Sequence, residues 1–220
     1  MFVSVRHFFD RLRGPRTWAD DLYDVRRRLA EQADPDVASQ AEVQLALELR
    51  LLRERLVALF GTVQACARCV QPRSASWPGG HCCSGHTQAL FTDDELAALR
   101  LAGTTTAQLK APHASRAGCV FRGPQGCSLT AAHRPCLCVR YTCRDLQSEL
   151  DRRGDGPTCA LLQEELRVRF ERFVELRNER LDASLFAELQ ASLRLTKSTS
   201  ERRGQGGQTS TPVADCSQDR

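Results

Sequence analysis

Residues 118–143 read GCVFRGPQGCSLTAAHRPCLCVRYTC, and no helical period runs through them. Five cysteines, Cys119, Cys127, Cys136, Cys138 and Cys143, are spaced among Gly118, Gly123, Pro124, Gly126 and Pro135. Glycine and proline at this density interrupt regular structure. Val120–Phe121 and Leu137–Tyr141 are the candidates for short strands. The segment lacks the apolar content to fold alone, so ligands bound by its thiols are expected to contribute directly to its folding.

Immediately upstream, residues 61–90 have the same character. Cys66-x2-Cys69 is followed after twelve residues by Cys82-Cys83, with a Trp77-Pro-Gly-Gly80 turn between them and His81 and His86 on either side of the pair. A helix starting at Thr92-Asp-Asp-Glu95 separates the two cysteine groups. Its threonine and glutamate match a capping box, and Gly103 ends it.

The flanks of this region are helical. Trp18, Leu22, Val25 and Leu29 form one stripe, and Leu45, Leu49, Leu52, Leu56 and Phe60 a second, each at the three- and four-residue steps of a helix face. Thr17 is expected to cap the first helix. Asp34-Pro35 is expected to start the second and Gly61 to stop it. The two are expected to pack as an antiparallel hairpin. Leu162, Leu166, Phe170 and Phe173 stripe a long helix from about 159 to 180, continuing to about 194 and capped by Thr158, with Glu165 and Arg169 as an i,i+4 ion pair. The expected fold is therefore mostly α: a helical hairpin and a long C-terminal helix around an irregular cysteine-rich metal-binding core, with few or no short strands. The regions are 1–60 helical, 61–158 metal-binding, 159–195 helical and packed on the same domain, and 196–220 a tail with nothing apolar to bury, expected to be disordered.

Composition narrows the function. The chain has 220 residues with a net charge of +4, from 31 basic against 27 acidic residues. That balance gives no concentrated basic patch for nucleic acid. Lys110 and Lys197 are the only lysines and isoleucine is absent. These scarcities fit a GC-rich, bacterial coding bias, so arginine richness is not a sign of phosphate binding. No long uncharged apolar run is present to span a membrane. In the opening MFVSVRHFFD, Arg6, His7 and Asp10 interrupt the apolar stretch. An export signal is not expected there, and a cytoplasmic location is.

In a reducing compartment, clustered cysteines point to metal more than to disulfides. Nine of the 11 cysteines and four of the five histidines fall between Cys66 and Cys143. Zinc and iron–sulfur clusters each accept four such thiolates, so ligand type alone does not choose between them.

The ordered run Gly118-Cys119-Val-Phe, Gly126-Cys127-Ser-Leu129, Arg134-Pro135-x2-Cys138 and Tyr141-x-Cys143 resembles the YkgJ-like cysteine-cluster family, the zinc- or iron-chelating CxxCxxCC domain. The resemblance covers residues 66–143. One feature departs from the family pattern: twelve residues rather than two precede Cys82-Cys83, a lengthening that costs little loop entropy. Matched residue by residue, the resemblance implies a ligand pool of Cys66, Cys69, Cys82, Cys83, Cys119, Cys127, Cys138 and Cys143, serving one centre or two. Cys136 falls outside the pattern. Cys159 reads as a small buried residue and Cys216 as incidental. Pro135 would fix the approach to Cys138, while Arg134 would offset thiolate charge, pair with a carboxylate or simply lie at the surface.

The expected function is a cytosolic metal-binding protein holding zinc or an iron–sulfur cluster through these thiolates. Two alternatives stand beside it. One is an S-adenosylmethionine-dependent protein lysine N-methylase, because flagellin methylases resemble this family in their cysteine clusters. The other is a helical interaction protein with a purely structural metal staple, whose long charged helix would bind a protein partner. No glycine-rich cofactor loop, H-E-x-x-H or G-x-S-x-G is present in the sequence.

Overall fold

The computed structural model describes residues 18–32, 36–61, 87–112, 119–123 and 126–205. Those residues are mostly helical. In chain order they form α1 (Trp18–Ala30), α2 (Gln40–Phe60), α3 (Thr87–Leu90), α4 (Asp93–Leu101), α5 (Cys136–Arg140), α6 (Arg144–Arg153) and α7 (Gly156–Gln205). Between α4 and α5 lie two strands of two residues each, β1 (Arg122–Gly123) and β2 (Gly126–Cys127), antiparallel with Arg122 opposite Cys127. The chain divides into two units, Met1–Arg177 and Asn178–Arg220. The apolar core belongs to the first.

Each long helix buries the stripe its sequence announces. Val25 and Leu29 of α1, then Leu49, Leu52, Leu56 and Phe60 of α2, then Leu162, Leu166 and Phe173 of α7 are all buried. The helix ends are set by local chemistry. α2 starts at Ser39 rather than at Asp34, which lies outside the described residues. The Ser39 hydroxyl accepts the Glu42 amide at 3.2 Å and the Glu42 carboxylate accepts the Ser39 amide at 2.8 Å, a complete capping box. Gly61 closes α2, its amide donating to Val57 O at 2.7 Å. Gly103 and Gly154 follow α4 and α6 with φ of 89° and 78°, where a side chain would be strained. α7 begins at Gly156, so Thr158 lies within its first turn instead of capping it, and the helix runs on to Gln205.

The two N-terminal helices do not pack their stripes on each other as a hairpin. α4 takes both. Val25 and Leu29 share one apolar cluster with Leu90, Phe91, Leu96, Leu99 and Leu109. Leu49, Leu52 and Leu56 share another with Ala97, Ala98 and Leu101, together with Leu146, Leu150, Leu162, Leu166 and Phe173. α4 is nine residues long and buried on both sides, the behaviour of a helix that is apolar nearly all round. Ion pairs close the periphery: Arg28 with Asp93 at 2.7 Å, Arg177 with Asp94 at 2.7 Å, and Arg169 with both Glu48 and Glu165. The Glu165–Arg169 pair is the one expected from spacing.

Candidate functional site

The site is built outward from α4. Thr92 caps it as expected, its hydroxyl accepting the Glu95 amide at 3.2 Å. The second half of the expected capping box does not form. The Glu95 carboxylate turns inward and accepts the amides of Cys136 at 2.8 Å and Leu137 at 3.0 Å. Pro135, at φ −54° and ψ 150°, precedes α5 and leaves those first-turn amides without helical partners. Glu95 supplies the missing acceptors from another helix. Leu137–Tyr141 is accordingly helical through Arg140 rather than a strand, and the short ladder falls just after Val120–Phe121.

Arg53 of α2 completes this junction. It is fully buried, donating to Cys136 Sγ at 3.5 Å and to Ala132 O at 3.3 Å, while its Nε has no hydrogen-bond partner. Burial pushes the Glu95 carboxyl above its ordinary value, opposed by the two amides and by Arg53. Burial and the Glu95 charge push the Cys136 thiol strongly up, against the pull of Arg53. Cys136 is therefore a protonated core thiol. Beside it His133 Nδ1 lies 3.0 Å from the Thr104 hydroxyl. Burial, with Arg50 and Arg53 nearby, lowers the His133 pKa and favours the neutral ring. The junction thus fastens residues 132–137 to both α2 and α4.

That fastening sorts the cysteines. Residues two apart on a helix point to different sides. Cys136 enters the cluster of α2, α6 and α7, and Cys138 packs against the cluster of α1 and Phe121. Cys119 is buried in this second cluster, and Cys127 packs against it half-buried. Three of the expected ligands, Cys119, Cys127 and Cys138, therefore lie in or against one apolar cluster that also holds Val120, Phe121 and Leu129. Phe121 packs on Phe91 with ring centroids 5.2 Å apart. Ser128 ties the turn down, its amide donating to Phe121 O at 2.8 Å and its hydroxyl to Lys110 O at 2.7 Å. Among the described residues Arg134 pairs with no carboxylate. Its Nε donates to Leu129 O at 3.0 Å and joins the β2 turn to the Pro135 corner.

Of the remaining expected ligands, Cys143 is described. Cys143 sits in the first cluster as the cap of α6, its sulfur accepting the Leu146 amide at 3.5 Å. Cys66, Cys69, Cys82 and Cys83, with His81 and His86, lie outside the described residues, as does His113. Their expected approach to the second group therefore lies outside them too. Among the described residues no three His, Cys, Asp or Glu side chains are grouped to hold a metal ion, and no disulfide joins two of the described cysteines. Cys159 is buried, its thiol pushed up by burial and by Asp151 and Asp155.

The chain matches no protein-family model, no curated protein and no solved structure. No helix among the described residues is long and apolar enough to cross a membrane.

Arg53 and the inward role of Glu95 were missed in the sequence. One signal was available. Ala46, Leu49, Arg53, Leu56 and Phe60 follow the helical period, so Arg53 occupies a core position of the stripe. A charge there requires a buried partner.

Proposed function

We propose that the chain is a metal-binding protein that holds zinc or an iron–sulfur cluster through clustered cysteine thiolates. One hydrogen bond carries the reading. The Val120 amide donates to the buried Thr87 hydroxyl at 3.0 Å. Thr87 is the first described residue after the first cysteine group, and Val120 follows Cys119 directly. Cys83 is four residues before Thr87, a span of at most about 14 Å of extended chain. A span of that length permits Cys82 and Cys83 to approach Cys119, and the membership of Cys119, Cys127 and Cys138 in or against one apolar cluster supports a shared centre. The described thiols do not suffice for a tetrahedral site, so the centre draws ligands from Cys66, Cys69, Cys82 and Cys83. Cys143, capping α6 in the other cluster, is the least supported of the eight. The ordered run of the second group, with its resemblance to YkgJ-like proteins, favours the same assignment.

Anaerobic purification of the full chain, followed by metal analysis and a visible spectrum, tests this reading. Stoichiometric zinc in a colourless protein, or iron with sulfide in a brown one, is the expected result. A folded, metal-free protein whose eight pool thiols all titrate freely contradicts it.

A further inference from the structure

The distal half of α7 carries an apolar face of its own, unrelated to the cysteines. Leu181, Leu185, Phe186, Leu189 and Leu193 are 40%, 67%, 62%, 56% and 56% exposed. At about 100° per residue these five side chains span an arc of about 140° on the helix. Ser192 falls within that arc, but its hydroxyl donates to Glu188 O at 3.0 Å. Asp182, also exposed, falls within it too. Four leucines and a phenylalanine exposed together on one helix face exceed the scattered apolar residues of an ordinary surface.

The charges on this face state the chemistry of what covers it. Residues 181–193 hold Asp182 and Glu188 and no lysine or arginine. Asp182 lies inside the apolar arc and Glu188 within about 20° of its edge, while Arg180 and Arg194, at either end, lie about 80° or more outside it. Earlier in α7, Glu164 and Glu171 pair with Arg167, Glu165 with Arg169 and Glu175 with Arg172, each across the three- or four-residue step that brings side chains together on a helix. No cation stands at either spacing from Asp182 or Glu188. The helix itself offers these two carboxylates no countercharge, so the face complements a partner that brings cations to an apolar stripe. An anionic lipid surface is repelled by both carboxylates. A second copy of the face brings two more carboxylates and no cation from the same residues. From Leu181 to Leu193 the face runs about 18 Å, enough for three turns of a partner helix laid along it.

We propose that residues 181–193 of α7 dock a basic amphipathic helix of a protein partner, its apolar stripe on Leu181, Leu185, Phe186, Leu189 and Leu193 and its lysines or arginines against Asp182 and Glu188. A synthetic amphipathic helix of leucine and lysine is the probe, with its leucine–glutamate counterpart as the control. Each is titrated into the full chain in reductant and followed by calorimetry. The lysine peptide is expected to bind about tenfold more tightly than the glutamate peptide, the scale of two surface ion pairs, and the preference is expected to shrink in high salt. D182K combined with E188K is expected to reverse the preference, which a folding defect does not do. L185D combined with L189D is expected to abolish binding of both peptides with the far-UV spectrum unchanged. No binding of the lysine peptide overturns the proposal, as does binding indifferent to charge or a preference that survives D182K with E188K. Self-association of the chain that L185D with L189D abolishes also overturns it, by assigning the face to a second copy. Binding to anionic vesicles that the same variant loses assigns it to a membrane, and lysine-peptide binding that appears only when residues 1–17 are deleted assigns it to that segment; either result overturns the proposal.

Discussion

The two apolar clusters on either side of α4 set the same residue type in different surroundings. In the cluster of α2, α6 and α7, Cys136, Cys143 and Cys159 are buried among leucines, where thiols behave as small apolar groups. In the cluster of α1 and α3, Cys119 is buried, Cys127 and Cys138 pack against it, and the Val120 amide donates to Thr87. The first cluster has long amphipathic helices and packs without help. The second draws on α1, the short helices α3 and α4 and a two-residue ladder, less regular structure around a glycine- and proline-rich loop. The difference teaches that cysteines close in sequence enter different surroundings. On the proposed reading, the ligands are those whose backbone has the least regular structure to hold it.

The largest expected effect comes from the junction between the clusters. Glu95→Ala strips two amides of their acceptor and removes the charge that opposes Arg53, and each buried donor left unsatisfied costs about 1–3 kcal/mol. Denaturant unfolding measures it. A loss under 1 kcal/mol means that the junction does not hold α5 in place. The comparison is sharpest at the two cysteines of α5. Cys138→Ser is expected to lower bound metal while leaving the far-UV spectrum intact. Cys136→Ser is expected to keep the metal and lose about 1–3 kcal/mol of stability, the cost of burying a hydroxyl. Equal metal loss in both variants erases the distinction between the clusters. Cys159→Ala is smaller, about 1 kcal/mol for a small cavity, with metal content unchanged.

The smallest effect is electrostatic. The His133 pKa lies below its ordinary value of 6.5 in the folded chain, so the unfolded chain binds the extra proton first. Its contribution to stability is complete above about pH 6.5 and is lost as pH falls from there through the lowered folded value. Glu95, raised by burial, slopes the other way. The difference between the native chain and His133→Gln isolates the histidine. That difference should shrink as pH drops from 7.5 to 5, and a flat difference removes His133 from the account.

Much of the fold was legible because helical periodicity is a local property. The stripes of α1, α2 and α7 lie where spacing put them, down to the burial of Leu29, Leu56 and Leu166. Pairing was not legible. Which stripe meets which is decided by the chain between them, so α1 and α2 each met α4. The run Leu137–Tyr141 was ambiguous for another reason: five residues are too few to tell a strand from a helical turn. Glu95 misled because Thr-x-x-Glu satisfies a local cap on paper. The stronger demand came from the amides after Pro135, more than forty positions away. Of the candidate site, the sequence pattern picked out Cys119, Cys127 and Cys138. It grouped Cys143 with them and gave no sign that Cys143 caps α6 in the other apolar cluster.

The most direct test of the central claim is differential alkylation of the folded, anaerobically purified chain, mapped by mass spectrometry before and after chelation. The account predicts that Cys119, Cys127 and Cys138, together with Cys66, Cys69, Cys82 and Cys83, are protected while metal is bound and become reactive when it is removed. Cys136 and Cys159 should stay protected in both states by burial alone. A labelling pattern indifferent to the chelator, with Cys127 and Cys138 reactive throughout, contradicts it.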